Sequence, residues 1–212
     1  MSEVYLKKAN KNPETGTSET REIVEKMLSD IKNGGEEVAT KYSKDLDGYT
    51  GEIIISKEKI EQASKSVPQK LKDDIKFAHE RIKKFAEEQK KSVSEFETEL
   101  SPGLWAGQKL IPIETAGCYV PGGRYSHVAS AIMSITTARV AGVQNIIACS
   151  APKGEEGPNP AILYTMNYCG ADKILALGGV QAIATMAFGL FTGLPAKILV
   201  GPGNRFVAEA KR

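Results

Sequence analysis

The feature that most constrains this chain is a pattern that occurs four times between Ala116 and Arg212: a short apolar run, a glycine-bearing turn and an amphipathic segment. The apolar runs are residues 116–120, 145–150, 173–177 and 197–200. Each run is too short for a helix and has the composition of a strand that is buried on both faces. Strands that alternate with helices in this way predict a parallel sheet with right-handed crossovers. The sequence therefore predicts an α/β fold.

Residues 1–115 have a different character, since their apolar residues recur mainly at helical spacing. A polar lead, residues 1–17, precedes a helix that Ser18 caps and that ends at Gly34-Gly35; a second helix covers residues 36–44. The predicted inward side chains of the first helix are Ile23, Met27 and Ile31, and those of a long helix opened by Pro68 are Leu71, Ile75, Ala78, Ile82 and Phe85. Residues 53–55 are the candidate strand of this half. We predict two domains: residues 1–115 as the helix-rich segment of an incomplete first domain, and residues 116–212 as a truncated Rossmann-like nucleotide-binding domain.

Composition excludes several functional classes. The chain has 28 basic and 26 acidic residues, interspersed, and a net charge of +2, which argues against a nucleic-acid partner. No apolar run approaches the length that spans a bilayer, and the N-terminus lacks the apolar core of a secretory signal, so we predict no membrane association. The three cysteines, Cys118, Cys149 and Cys169, have no disulfide spacing and indicate reduced thiols in a cytoplasmic protein.

Three of the four turns place ligand-type groups where strands end. The turn 121–123 follows Tyr119, Gln181 follows Gly178-Gly179, and Asn204 follows the turn 201–203. In a parallel sheet ligands bind beyond the carboxyl ends of the strands, where glycine turns let backbone N–H groups approach a phosphate. Each turn taken alone also fits a tight strand-to-helix connection. Together they favour a nucleotide site, although the standard dinucleotide and P-loop fingerprints are absent.

The remaining chemistry-bearing residues give a weaker signal. Arg124 and His127 lie at the start of the helix after the first glycine turn and are candidate anion contacts, with a solvent-facing basic turn as the alternative. His79 lies on a charged helix outside its apolar seam and is predicted to be solvated. No set of residues has the spacing of metal ligands or of a nucleophile with its base.

Four motifs occur in order that together resemble the N-terminal part of the histidinol dehydrogenase family: residues 117–123, 141–143, 178–184 and 201–207. The resemblance implies a zinc-dependent, NAD-linked homodimeric enzyme that oxidises a primary alcohol through an aldehyde to a carboxylate. It places NAD contacts on Tyr119, Gln181 and Asn204. It places the Zn²⁺ ligands and the catalytic Glu-His pair after Arg212, which implies that the chain alone is an inactive fragment without catalytic or metal-binding residues of its own.

Two small molecules are candidates for the alcohol substrate. The sequence of residues 124–130, 136–139 and 175–180 is similar to that of the branch of the family that oxidises dihydroxypropanesulfonate. Ala86 also occupies a position where histidinol-oxidising members often have histidine. Arg124 and His127 would suit the permanent negative charge of a sulfonate. L-Histidinol is the alternative substrate. A second class of hypothesis is a self-contained, non-catalytic nucleotide-binding or interaction module.

Overall fold

The structure is a computed structural model that describes residues 18–122 and 125–212. The predicted polar lead and Arg124 lie outside the described residues. Three helices come first, α1 (Ser18–Asp47), α2 (Lys57–Ser66) and α3 (Gln69–Lys91), followed by the strands β1 (Phe96–Ser101) and β2 (Leu104–Gln108). The remaining elements alternate: β3 (Thr115–Val120), α4 (Val128–Ala131), a π-helical turn (Ile132–Thr136), α5 (Thr137–Ala141), β4 (Asn145–Ser150), α6 (Pro160–Tyr168), β5 (Lys173–Ala176), α7 (Gly179–Phe188), β6 (Ile198–Val200) and α8 (Arg205–Ala210).

The four predicted strands form one parallel sheet in the order β5-β4-β3-β6. β3 is fully buried along its length, as expected for a strand with helices on both faces. The first three parallel strands proceed in one direction across the sheet, and β6 then pairs on the opposite side of β3. This reversal creates a topological switch point between β3 and β6, where the flanking connections leave a crevice. The predicted α/β fold is confirmed.

The helical half packs directly on this sheet. α1 lies against α7 and α8, and α3 lies against the helical segment that follows β3. One apolar cluster joins Tyr49, Ile53 and Ile75 to side chains of β3, β4 and β5. Two smaller clusters pack α1 on α7: Val24 and Met27 contact Val180, and Ile31 and Ala39 contact Ala184. Buried apolar area is the main favourable term in folding, so these contacts fix α1 relative to α7. None of the helices in the described part of the chain is long and apolar enough to cross a membrane.

Local sequence patterns predicted most helix boundaries of the helical half. Gly35 interrupts α1 with φ 62° and ψ −143°, at the predicted break. The Ser56 hydroxyl accepts a hydrogen bond from the Lys59 N–H and caps α2. Pro68 lies at the N-cap of α3, one position before the first helical turn predicted for it.

Four predictions about side chains and strands were wrong, each because packing overrode a local pattern. Ile23 is 42% exposed and Val24 is buried in its place, while Phe85 is 63% exposed and Ala86 is buried. Residues 53–55 form no strand; Ile54 makes a single antiparallel bridge with Leu175 of β5. His79 lies edge-on against Tyr168, with ring centroids 5.1 Å apart, and desolvation lowers its pKa.

The antiparallel hairpin β1–β2 was not predicted. Its strands pair from Phe96 with Gln108 to Ser101 with Leu104, around a turn in which Gly103 has φ 81°. Every residue of both strands is exposed. A signal was present, because residues 96–101 alternate between larger apolar or threonine side chains and polar ones up to the Ser-Pro-Gly turn. The three cysteines are free and buried, and burial raises the pKa of Cys118 to about 11.

Candidate functional site

A cavity of about 870 Å³ opens at the carboxyl ends of the parallel strands, beside the switch point. Its volume is in the range of small-molecule and cofactor sites. Connections after β3, β4, β5 and β6 supply one wall, and residues of α1 supply the other. The lining residues are Ile23, Met27, Leu46, Asp47, Tyr119, Pro121, His127, Ala151, Gly179, Val180, Gln181, Pro202, Gly203, Asn204 and Phe206. The structure thus brings Tyr119, Gln181 and Asn204 together in one cavity, while their role in binding stays a prediction.

Tyr119 projects from the end of β3 and is 6% exposed. Its phenol oxygen accepts a hydrogen bond of 3.2 Å from the Gly179 N–H, which ties the end of β3 to the first turn of α7. Burial raises the pKa of the phenol, so it stays protonated at neutral pH. The phenol hydrogen is therefore a donor that the site can offer to a ligand.

Gln181 lies in the first turn of α7 and is 1% exposed. Its Nε2 donates a hydrogen bond of 2.9 Å to Oδ2 of Asp47. Its Oε1 is buried and has no hydrogen-bond partner among the described residues. A buried carbonyl oxygen without a partner is costly, so this oxygen is an acceptor prepared for a donor group.

Asp47 is the site residue that the sequence did not reveal. It ends α1, 134 positions before Gln181, and its carboxylate reaches the cavity next to the turn before α7. Desolvation raises its pKa, while hydrogen bonds from Gln181 and from the Gly178 backbone act in the opposite direction. An aspartate in the charged stretch 44–47 carries no local signal that separates it from surface residues. Only the docking of α1 against α7 identifies it.

Asn204 caps α8 through its side-chain oxygen. Its Oδ1 accepts hydrogen bonds from the N–H groups of Phe206 (3.0 Å) and Val207 (3.1 Å) and thereby caps α8. The side-chain NH₂ is left to donate toward the cavity that Asn204 lines.

The predicted anion contacts are only partly described. His127 is exposed and lines the cavity directly before α4. Arg124 lies outside the described residues, so the pairing of the two stays a prediction.

Cofactor fit differs between NAD and zinc. For a dinucleotide such as NAD the site offers an acceptor, the unpartnered Gln181 Oε1, and a donor, the phenol of Tyr119, beside glycine turns. Within residues 18–122 and 125–212, no three His, Cys, Asp or Glu side chains converge as metal ligands. The described residues therefore do not provide a zinc site by themselves.

Comparison with known proteins identifies the family of the chain. The family model of histidinol dehydrogenase matches residues 10–212. The chain is 57% identical to a histidinol dehydrogenase homolog of Pelagibacter ubique and 56% identical to the sulfopropanediol 3-dehydrogenase of Ruegeria pomeroyi; each match covers 100% of this chain and 50% or 49% of the relative. A histidinol dehydrogenase of Methanococcus maripaludis is 38% identical, over 96% of this chain and 47% of its own length.

The fold agrees with this relationship. The crystal structure of histidinol dehydrogenase from Elizabethkingia anophelis superposes with a TM-score of 0.87 at 34% identity, covering 94% of this chain and 46% of that one. The chain spans about half the length of the curated relatives it matches. Since the family model covers all but the first nine residues, the chain belongs to the histidinol dehydrogenase family.

Proposed function

We propose that this chain is the NAD-binding, N-terminal part of a zinc-dependent dehydrogenase that oxidises the CH–OH group of a small primary alcohol through an aldehyde to a carboxylate. The observation that carries the proposal is the convergence of Tyr119, Gln181 and Asn204 on one cavity at the switch point of the sheet. When bound, NAD would supply the hydride acceptor of the oxidation.

The residues of this chain bind and orient in this proposal. Tyr119 donates its phenol hydrogen, Gln181 accepts at Oε1, and Asn204 donates from its amide. Each of these side chains is held by a second contact, to the Gly179 N–H, to Asp47 or to the start of α8, so little rotamer freedom is lost on binding. Preorganisation of this kind positions the cofactor for reaction.

Zinc and the catalytic acid-base groups belong to the proposal only at the level of the family. We infer that they come from family sequence outside residues 1–212, and no zinc-dependent step is assigned to the residues described above. By the same reasoning we expect the chain alone to have no dehydrogenase activity. Homodimeric assembly of the full-length protein and a cytoplasmic location stay predictions.

For the substrate we favour a sulfonate-bearing diol over histidinol. The relative named for sulfopropanediol is 56% identical, against 38% for the histidinol dehydrogenase of Methanococcus maripaludis. His127 lines the cavity, and a histidine there would suit a fixed negative charge on the substrate. Assay of a full-length enzyme carrying this region on both alcohols tests the choice, and a strong preference for histidinol would overturn it.

The NAD site is tested by calorimetric titration of the 212-residue chain. We expect Tyr119→Phe to weaken NAD binding by about tenfold, the equivalent of ~1.4 kcal/mol, because it removes one donor and the acceptor of the Gly179 N–H. Tyr164→Phe is the matched control, since Tyr164 packs on Tyr168 away from the cavity and loses the same hydroxyl. Absence of NAD binding at millimolar concentration, or equal affinities of the two variants, would contradict the proposed site.

A further inference from the structure

Asp47 of α1 and Gln181 of α7 form a pair of hydrogen-bond acceptors at one end of the cavity. Gln181 Oε1 is an acceptor without a partner, and the second oxygen of the Asp47 carboxylate is an acceptor by chemistry. The Gln181 amide is oriented by Asp47, because only its NH₂ can donate to the carboxylate. This end of the cavity therefore takes donors, hydroxyl or N–H groups, from a ligand.

Charge at the same end argues against a phosphate there. Asp47 is an acid, and no lysine or arginine is among the described residues that line the cavity. Burial already disfavours the charged carboxylate, whose pKa is raised by desolvation. A further anion beside it would add repulsion in a partly desolvated site, where electrostatic interactions are stronger than in water.

The position of the pair on the sheet identifies which part of a dinucleotide meets it. A methyl group built on Gly178 would lie 2.6 Å from Cβ of Ala151 and 3.4 Å from Oδ2 of Asp47, so the carboxylate lies over the ends of β4 and β5. The order β5-β4-β3-β6 corresponds to strands 3-2-1-4 of a doubly wound dinucleotide fold. In that fold an acidic residue near the second strand bonds the hydroxyls of the adenosine ribose in NAD enzymes. Here the second strand, β4, ends at Ser150 and is followed by Ala151 and Pro152, which are not acids. The next acids, Glu155 and Glu156, lie in a 3-10 turn and do not line the cavity.

We propose that Asp47 is a specificity-determining residue: together with Gln181 it binds the adenosine ribose hydroxyls and rejects a nucleotide phosphorylated at the 2′ position. The inference rests on the proposed NAD site and adds the choice between NAD and NADP to it. The acid that a doubly wound fold takes from its own second strand is supplied here by the helical half of the chain, through the C-terminal end of α1. A ribose hydroxyl would also satisfy the orphaned Oε1 of Gln181.

The test is a set of calorimetric titrations with NAD and NADP on the wild-type chain, Asp47→Asn and Asp45→Asn. Asp45→Asn makes the same change of charge on the same helix at an exposed residue that does not line the cavity. We expect the wild type and Asp45→Asn to prefer NAD by at least tenfold. In Asp47→Asn this preference should fall by tenfold or more, because NADP gains affinity while NAD loses a bond to a charged acceptor.

A second measurement needs no variant: ADP-ribose should bind the wild-type chain at least tenfold more tightly than 2′-phospho-ADP-ribose. Equal binding of these two compounds, or an unchanged preference in Asp47→Asn, would overturn the role of Asp47 while leaving the NAD site intact. Failure of the wild type to bind either dinucleotide would instead overturn the proposed function, and this inference with it.

Discussion

Replacement of Gly201 by alanine tests how the cavity is built. Gly201 follows β6 with φ +121°, a conformation that side chains rarely adopt, and a Cβ there would overlap the carbonyl oxygen of Tyr119 and lie 2.9 Å from its carbonyl carbon. The neighbouring atoms are backbone of the fully buried strand β3, so they have little room to yield. The glycine is thus required where β6 turns away from β3, beside the predicted cofactor contact.

The expected cost has two parts. A residue with Cβ in a left-handed conformation costs roughly 1 kcal/mol, and forcing extra volume into a packed region costs about 1–3 kcal/mol. A sum of about 3 kcal/mol corresponds to a fall in Tm of roughly 6–12 °C for a chain of this size. Since the overlap is with Tyr119 itself, we also expect NAD affinity to fall by at least tenfold.

Gly193→Ala is the matched control, because Gly193 has φ +69° and no atom within 4 Å of an added Cβ. It carries the conformational strain without the overlap, so its Tm should fall by only about 2–4 °C and NAD affinity should not change. Thermal unfolding followed by circular dichroism, with calorimetric titration of NAD, measures both effects. Equal losses of Tm in the two variants would refute the argument that close approach to Tyr119 requires glycine at position 201.

Three further outcomes are expected. Asn204→Ala should lower Tm by about 2–4 °C, since an N-cap contributes about 1 kcal/mol, whereas Asn204→Asp keeps the acceptor and should leave Tm nearly unchanged. Arg139→Ala should lower the free energy of unfolding, measured by urea titration, by about 2–3 kcal/mol, because the Arg139 guanidinium donates to the carbonyl of Gly170 and to two other carbonyls. A loss below 0.5 kcal/mol, about the size of a surface change, would contradict this. Burial raises the native pKa of Asp47, so the stabilising contribution of this group is full below its ordinary pKa of 3.8 and is lost as pH rises through the native pKa. Asp47→Asn should therefore gain Tm relative to wild type as pH rises from 4 to 7, and a relative loss over that range would show that the sign is wrong.

Much of the fold of residues 116–212 was predictable because its signals are local. Short apolar runs followed by glycine turns specify buried parallel strands, and the structure has strands at 115–120, 145–150, 173–176 and 198–200. The hairpin was not predicted although residues 96–101 carry period-two alternation, because all its residues are exposed and no buried apolar face distinguishes it from a polar loop. Ile23 and Phe85 were placed inward by helical periodicity, yet neighbouring residues on the same helices face the core. Periodicity defines a helix face only to within about one residue, and packing decides which edge of that face is covered.

The sequence by itself determined the α/β character of the chain, the glycine turns at the strand ends and the family to which its motifs belong. Tertiary structure decided that β6 lies on the far side of β3, which opens the crevice, and that α1 brings Asp47 to within 2.9 Å of the Gln181 amide. The physical reason is the distance along the chain over which each interaction acts. Adjacent residues encode turn conformation and strand burial. A contact between positions 134 residues apart forms only once the helical half has buried its apolar face on the sheet.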